Sequence, residues 1–309
     1  MQVKKIKSTE HTRPPPYGLV TEKKAGNIVE VRFQTKSSPQ RIKKLNRDSF
    51  LELSTGEVRN FEHSDFRISH MENISRSLRK LRDLINTNVT AENAQNCQWV
   101  TLTYRANMTD PKRLYSDFHN FNLRYQRYLK KHGFLKAEYI ACIEPQQRRA
   151  WHVHVIFIFP DKAPFIENAI LAKIWRQGFV SIKALKDVDN VGAYLTAYLG
   201  DLEAPGNMDL KKVDPKRLKY VGKRKKAIIK GARLCFYPSG IQIFRHSRGI
   251  KKPELSQTTE VEVMKDVEGA ALTYEKTIQL FDDQGQMLNQ INYRQYNRVR
   301  KKTVTRRKQ

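Results

Sequence analysis

The sequence predicts an α+β protein with a central antiparallel sheet, flanking helices, and small β-rich additions at the N- and C-terminal ends. Three observations lead there. Between about residues 97 and 204 the hydrophobic pattern runs strand, helix, hairpin, helix, strand, helix, an order that suits helices packed on an antiparallel sheet. Short alternating runs bounded by turn residues lie on either side of that stretch. With 309 residues, 39% of them apolar and 10% aromatic, the chain has enough material to bury a full core.

Residues 1–16 end in Pro14, Pro15 and Pro16, which cannot continue a helix or a central strand, so a flexible basic arm is expected. Alternation from Ile28 to Phe33, after the turn-forming Ala25, Gly26 and Asn27, predicts a hairpin beginning near Tyr17. Ile74, Leu78, Leu81, Leu84 and Ile85 have helical spacing over 71–86. Trp99 to Tyr104 is rich in β-branched and aromatic residues and reads as a strand. Asp110 and Pro111 then open a long helix carrying Leu114, Phe118, Phe121, Tyr125 and Leu129, and Gly133 stops it.

Tyr139 to Ile143 and Trp151 to Phe159 are two apolar strands joined by a polar link, most economically an antiparallel hairpin. A helix around 165–176, a strand from Phe179 to Leu185 and a helix around 190–200 complete the unit, and a further hairpin is expected around Asp282 to Gly285. These readings divide the chain into an arm (1–16), an N-terminal accessory region (17–96), a core (97–204), a basic extension (205–255) and a C-terminal hairpin with a basic tail (256–309).

A formal charge of +27 exceeds what solubility requires and has the sign that attracts a polyanion, so nucleic acid is the first partner to consider. No stretch approaches the roughly 18 consecutive apolar residues of a spanning helix, and the basic N-terminus lacks the apolar run of a secretory signal. No membrane partner and a cytoplasmic location are therefore expected. Cys97, Cys142 and Cys235 form neither a disulfide framework nor a zinc-type pair and read as reduced thiols.

Between Asp209 and Lys252, fifteen Lys and Arg stand against Asp209 and Asp214, a net +13, interleaved with Tyr220, Phe236, Tyr237 and Phe244. That composition suits phosphate contacts with aromatic groups available for stacking, and Lys223, Arg224, Lys225 and Lys226 are its densest run and the candidate DNA-binding residues. The same charges would also serve as an ordinary solvated surface.

Chemistry concentrates in Trp151 to Phe159. On a strand, alternate side chains share a face, so His152 and His154 project with Ile156 and Ile158, opposite Trp151, Val153, Val155 and Phe157. If Glu144 pairs opposite His152, Cys142 falls opposite His154 and Ile140 opposite Ile156, which brings a carboxylate to both imidazoles. Glu144, His152 and His154 are thus candidate ligands for a divalent ion, Mg²⁺ or Mn²⁺, and neither histidine is expected to be needed for packing.

On the helix after Asn190, Tyr194 and Tyr198 stand one turn apart on one face, while Leu195 and Leu199 repeat that spacing toward the sheet. Paired tyrosines at this spacing also suit plain packing.

Taken in order, Val100 to Thr103, the hairpin from Glu144 to His154 and the tyrosine helix about 40 residues later resemble the HUH endonucleases, named for His-hydrophobic-His. The likeness is strongest to the replication initiators of rolling-circle plasmids and small phages, and it covers roughly 97–204. Phe244 to Pro253 also looks like the segment that follows the nuclease core in such initiators. In conjugative relaxases of the superfamily the tyrosine precedes the histidines, whereas here it follows them. Many initiators carry Lys three residues after the nucleophilic tyrosine; Ala197 stands there instead, leaving Lys183, Lys186 or the segment near Lys223 as substitutes.

The resemblance implies a site-specific single-strand endonuclease and strand-transfer enzyme with a ferredoxin- or RRM-like core. In that reading Tyr194 attacks an origin phosphate to give a 5′-phosphotyrosine, Tyr198 either takes a second transfer or packs, and a host helicase and DNA polymerase act as partners. A transposase or relaxase of the superfamily, or a single-stranded nucleic-acid-binding protein without catalysis, are the alternatives.

Overall fold

The computed structural model describes residues 4–36, 42–46, 48–61, 71–185, 189–206, 208–221, 225–238 and 241–301. The chain forms two compact units, Ser64–Lys252, and Met1–His63 together with Pro253–Gln309.

The larger unit is built on an antiparallel five-stranded sheet of β1 (Cys97–Tyr104), β2 (Glu138–Pro145), β3 (Trp151–Ile158), β4 (Gly178–Ala184) and β5 (Phe244–His246), in the spatial order β4-β1-β3-β2-β5. Its helices are α1 (Met71–Asn88), α2 (Pro111–Lys131), α3 (Asn168–Trp175) and α4 (Val191–Gly200). The Asp110 side chain accepts from Lys112 N at 2.8 Å with Pro111 in the first turn, so α2 starts where an orphan N–H is capped and a missing one costs nothing. It ends before Gly133, whose φ of +74° is open to a residue without a Cβ.

Alternation along the strands assigns the helices to faces. Val100, Leu102, Val153, Val155 and Phe157 bury against Phe121 and Tyr125 of α2 and Trp175 of α3. Trp99, Cys142 and Ile156, on the opposite face, bury against Leu81 and Ile85 of α1 and Leu195 and Leu199 of α4. The two leucines of α4 therefore do anchor the tyrosine helix. Gly192 sets how closely that helix approaches α1, since a Cβ there would lie 2.4 Å from the Arg82 carbonyl oxygen and 2.7 Å from Asn86 Oδ1. Asn86 joins the two helices by accepting from Gly192 N at 2.9 Å and donating to Asn190 Oδ1 at 3.0 Å.

The smaller unit carries a six-stranded antiparallel sheet. Its strands, in spatial order, are Lys4–Ser8, Ala270–Phe281, Met287–Lys301, Ile28–Gln34, Leu19–Ala25 and Glu254–Thr259. A capping box of Thr259 and Glu262 opens α5 (Glu260–Asp266), and Val263 and Val267 pack with Val20, Val29, Val31 and Tyr296. The hairpins near Tyr17 and Asp282 form as their patterns predict and lie in one sheet, because the long C-terminal strand pairs with Ile28–Gln34.

Several sequence-based boundaries shift. Lys4–Ser8, inside the expected flexible arm, pairs with Ala270–Phe281, a contact made through backbone groups that its polar sequence does not advertise. The helix at 71–88 goes with the nuclease-like unit rather than with an N-terminal region, since its leucines complete that unit's second core. Within the basic extension, β5 pairs with β2, and Leu218–Val221 and Lys226–Ile229 pair in a small sheet with Leu202–Glu203.

Its aromatics are only partly free. Tyr220 is exposed, but Tyr237 is buried and donates to the Ile143 carbonyl at 2.8 Å, so it is core rather than a stacking platform. Among the described residues no helix is long and apolar enough to cross a membrane.

Candidate metal centre

Strands β2 and β3 pair with Glu144 opposite His152, Cys142 opposite His154 and Ile140 opposite Ile156, the register that the apolar pattern requires. One ligand atom from each of Glu144, His152 and His154 falls within 4.8 Å of the others. Glu144 Oε2 lies 2.5 Å from His154 Nε2 and 3.9 Å from His152 Nδ1. The other carboxylate oxygen, Oε1, receives Arg233 Nη1 at 2.6 Å, and the same guanidinium donates to the backbone oxygens of Pro145 and Asp201.

Burial alone would raise the Glu144 carboxyl, but the hydrogen bond from His154 and the charges of His154, Arg233 and His152 outweigh it and hold the group below its usual range. Glu144 is therefore a carboxylate. Burial pushes His152 down to about 4, against the opposing pull of Glu144, so near neutral pH its ring is uncharged with a lone pair available.

The cluster passes a simple test of fit. His152 Nε2 is buried without a hydrogen-bond partner among the described residues, beside an ionised carboxylate and a second imidazole. Such a donor set suits a divalent cation, which would satisfy the orphaned nitrogen. Gln146 Nε2, 3.1 Å from His152 Nδ1, fixes one ring. Thr101 Oγ1, 3.1 Å from His154 Nδ1, and Trp99 Nε1, which donates to that same nitrogen at 3.4 Å, fix the other.

The two histidines differ in their packing. His152 keeps 14% of its side chain exposed, whereas His154 keeps 3% and lies between Trp99 and Tyr198, with ring centroids at 6.0 and 5.4 Å. His154 is thus part of the packing, contrary to the sequence reading.

Tyr194 and Tyr198 share a face of α4 and both set their rings edge-on to Trp99, at 5.7 and 6.2 Å. Their side chains stay about half exposed, above the same sheet face as the cluster. Burial, followed by the charge of Glu144, raises the Tyr198 phenol, with Arg233 opposing.

Lys183 lies with its ammonium 5.9 Å from the Trp99 ring, while Lys186, Lys223 and Arg224 fall outside the described residues. Lys225 and Lys226 are exposed, Lys226 is paired with Glu203 at 3.0 Å, and the cluster holds neither of them. Sequence reasoning missed Arg233. It is one of fifteen basic residues in its segment, and only the short helical turn Ala232–Phe236 aims it at Glu144.

A His-hydrophobic-His strand with a glutamate across the hairpin, under a helix bearing two phenols, is the arrangement of an HUH-type nuclease site. The family described as replication-associated protein, ORF2 and gene-2-protein type, matches residues 97–203, about a third of the chain. That segment is an HUH-type, Rep-like core, and its metal-suited triad supports nuclease-type activity in replication or nicking. No curated protein matches the chain.

Proposed function

We propose that the protein starts rolling-circle replication by nicking one strand of origin DNA and holding the new 5′ end as a phosphotyrosine. The observation that carries this reading is the meeting, on one sheet face, of the Glu144, His152 and His154 cluster with the half-exposed phenols of Tyr194 and Tyr198.

Glu144, His152 and His154 would hold Mg²⁺ or Mn²⁺. When bound, such an ion draws charge from the non-bridging oxygens of the scissile phosphate. Arg233 keeps Glu144 ionised and fixed, and Thr101, Trp99 and Gln146 orient the imidazoles.

Tyr194 is the first nucleophile in this reading. It sits in the opening turns of α4, where the N-terminal dipole favours a phenolate and a phosphate, and it is the more exposed of the two phenols, 54% against 46%. Its oxygen, on losing the phenolic proton, bonds to phosphorus while the 3′ oxygen leaves and takes up a proton as a free hydroxyl. That hydroxyl can prime a host polymerase, with a host helicase opening the duplex. Storing the broken bond as a phosphodiester of tyrosine lets the strand be rejoined without ATP. Tyr198, in ring contact with His154, is suited to a second transfer. These steps place the protein where the DNA replicates, in the cytoplasm.

The test is adduct formation in Mn²⁺ on single-stranded DNA from the element that carries the gene, with the adduct mapped by peptide mass spectrometry. The expected adduct is on Tyr194 and is abolished by Tyr194→Phe while binding persists. An adduct only on Tyr198 reverses the order of attack. Binding without any adduct leaves a single-stranded DNA-binding protein, and ends from a transposon in place of an origin would reassign the biological role.

A further inference from the structure

Pairing in the sheet carries the site further than its ligands. Residues directly opposite one another on neighbouring strands point to the same face. Across β2, β3, β1 and β4, one row therefore reads Glu144, His152, Thr103, Phe179, the next Cys142, His154, Thr101, Ser181, and the third Ile140, Ile156, Trp99, Lys183.

The rows begin in the metal-suited cluster and end on β4, the edge strand, where Phe179, Ser181 and Lys183 are all exposed. Phe179 is 67% exposed, although Val180 and Ile182 beside it turn to the opposite face and pack on the core. A single exposed phenylalanine needs no explanation by itself. This one shares a row with His152 and Glu144, two strand spacings, or about 10 Å, from the histidine. At the other end of the strip, Lys183 stands over Trp99, whose ring touches both Tyr194 and Tyr198.

We propose that the outward face of β4, with Thr103 beside it, binds the nucleotides next to the scissile phosphate, Phe179 stacking on a base and Lys183 pairing with a phosphate. The inference rests on the nicking reading for its choice of single-stranded DNA, a choice that the charge of +27 also favours. An aromatic, two hydroxyls and a cation in successive rows match the faces and backbone of a single strand. A nearby open cleft of about 830 Å³ also includes Lys183, but Glu92 and Glu167 line it and would repel phosphate, so the strip and not the cleft is assigned to the strand.

Binding of oligo(dT), carrying 2-aminopurine at one position at a time, to the full chain in EDTA tests the strip. Base–aromatic stacking of roughly 1–3 kcal/mol converts to a 5- to 140-fold weaker Kd for Phe179→Ala, and Phe179→Trp should restore binding. Quenching should be strong at one or two neighbouring positions and disappear in Phe179→Ala. Lys183→Gln should reduce the log–log salt slope by about 0.7. Wild-type affinity in Phe179→Ala, or an edge that recruits a protein strand while oligo(dT) binding is untouched, overturns the strip.

Adduct formation by the wild-type protein separates the two readings. An adduct with Phe179-independent binding refutes the strip alone. Phe179-dependent binding without an adduct refutes nicking alone, and no binding of single-stranded DNA refutes both.

Discussion

Two carboxylates in this molecule meet an arginine away from solvent, and they are used differently. In the smaller unit, Arg294 grips Glu260 with both arms, Nη1 to Oε1 and Nη2 to Oε2 each at 2.5 Å, and Tyr296 completes the set. Both carboxylate oxygens are spent on one partner. In the larger unit, Arg233 takes only Oε1 of Glu144 and leaves Oε2 facing two imidazoles, one with an orphaned nitrogen. A closed pair fixes a structure, whereas a half-open one is a place where chemistry can happen. Burial does not distinguish them; the destination of the second oxygen does.

The largest expected effect breaks the closed pair. Arg294→Ala leaves the Glu260 carboxylate buried and without its main partner, which should cost about 3–5 kcal/mol of stability in urea unfolding followed in the smaller unit. Adduct formation by the surviving folded fraction should be unchanged, because the triad lies in the other unit. A stable variant with lost Mn²⁺ affinity would show that the contrast is misdrawn.

The half-open pair should answer in the opposite sense. Arg233→Lys keeps a positive charge but gives up the fork that reaches Glu144, Pro145 and Asp201 together, so Glu144 is held less firmly. Mn²⁺ affinity by calorimetry should fall about 10- to 100-fold, the usual consequence of losing a group that orients a ligand. The unfolding midpoint should move far less than in Arg294→Ala. An unchanged Mn²⁺ affinity would make Arg233 a purely structural residue.

How much of this could be read beforehand depended on whether a contact was local. The Glu144–His152 register follows from two apolar strands and a short polar link, because slipping it by one residue would turn Ile140 and Ile156 outward. Asp110 and Asn190 announce their helices through side chains that cap their own backbones. Arg233 reaches Glu144 from 89 positions along the chain, and no periodicity encodes such a meeting. The strand Lys4–Ser8 escaped for the same reason, since its partners lie in Ala270–Phe281 and its own side chains are nearly all exposed. Tyr237 looked available because its neighbours are basic, yet the fold turns its hydroxyl onto Ile143.

A third ion pair completes the series and gives the smallest effect. Lys226 meets Glu203 at 3.0 Å with both side chains more than half exposed, so water screens the pair and its loss should change stability by less than about 1 kcal/mol. What the pair does alter is the charge offered to DNA. Lys225, exposed in the turn that leads into Lys226–Ile229, has no carboxylate within ion-pair distance among the described residues, whereas the charge of Lys226 is partly answered in place. If both lysines touch duplex phosphates, Lys225→Ala should reduce the log–log salt slope of binding by about 0.9, and Lys226→Ala should reduce it by less. Glu203→Gln then sharpens the comparison, because it frees Lys226 without adding a charge of its own. It should steepen the slope in the wild-type background and leave it unchanged in Lys226→Ala. Equal slopes in all of these variants would mean that this turn faces solvent when DNA is bound, and that the affinity comes from other basic residues of the chain.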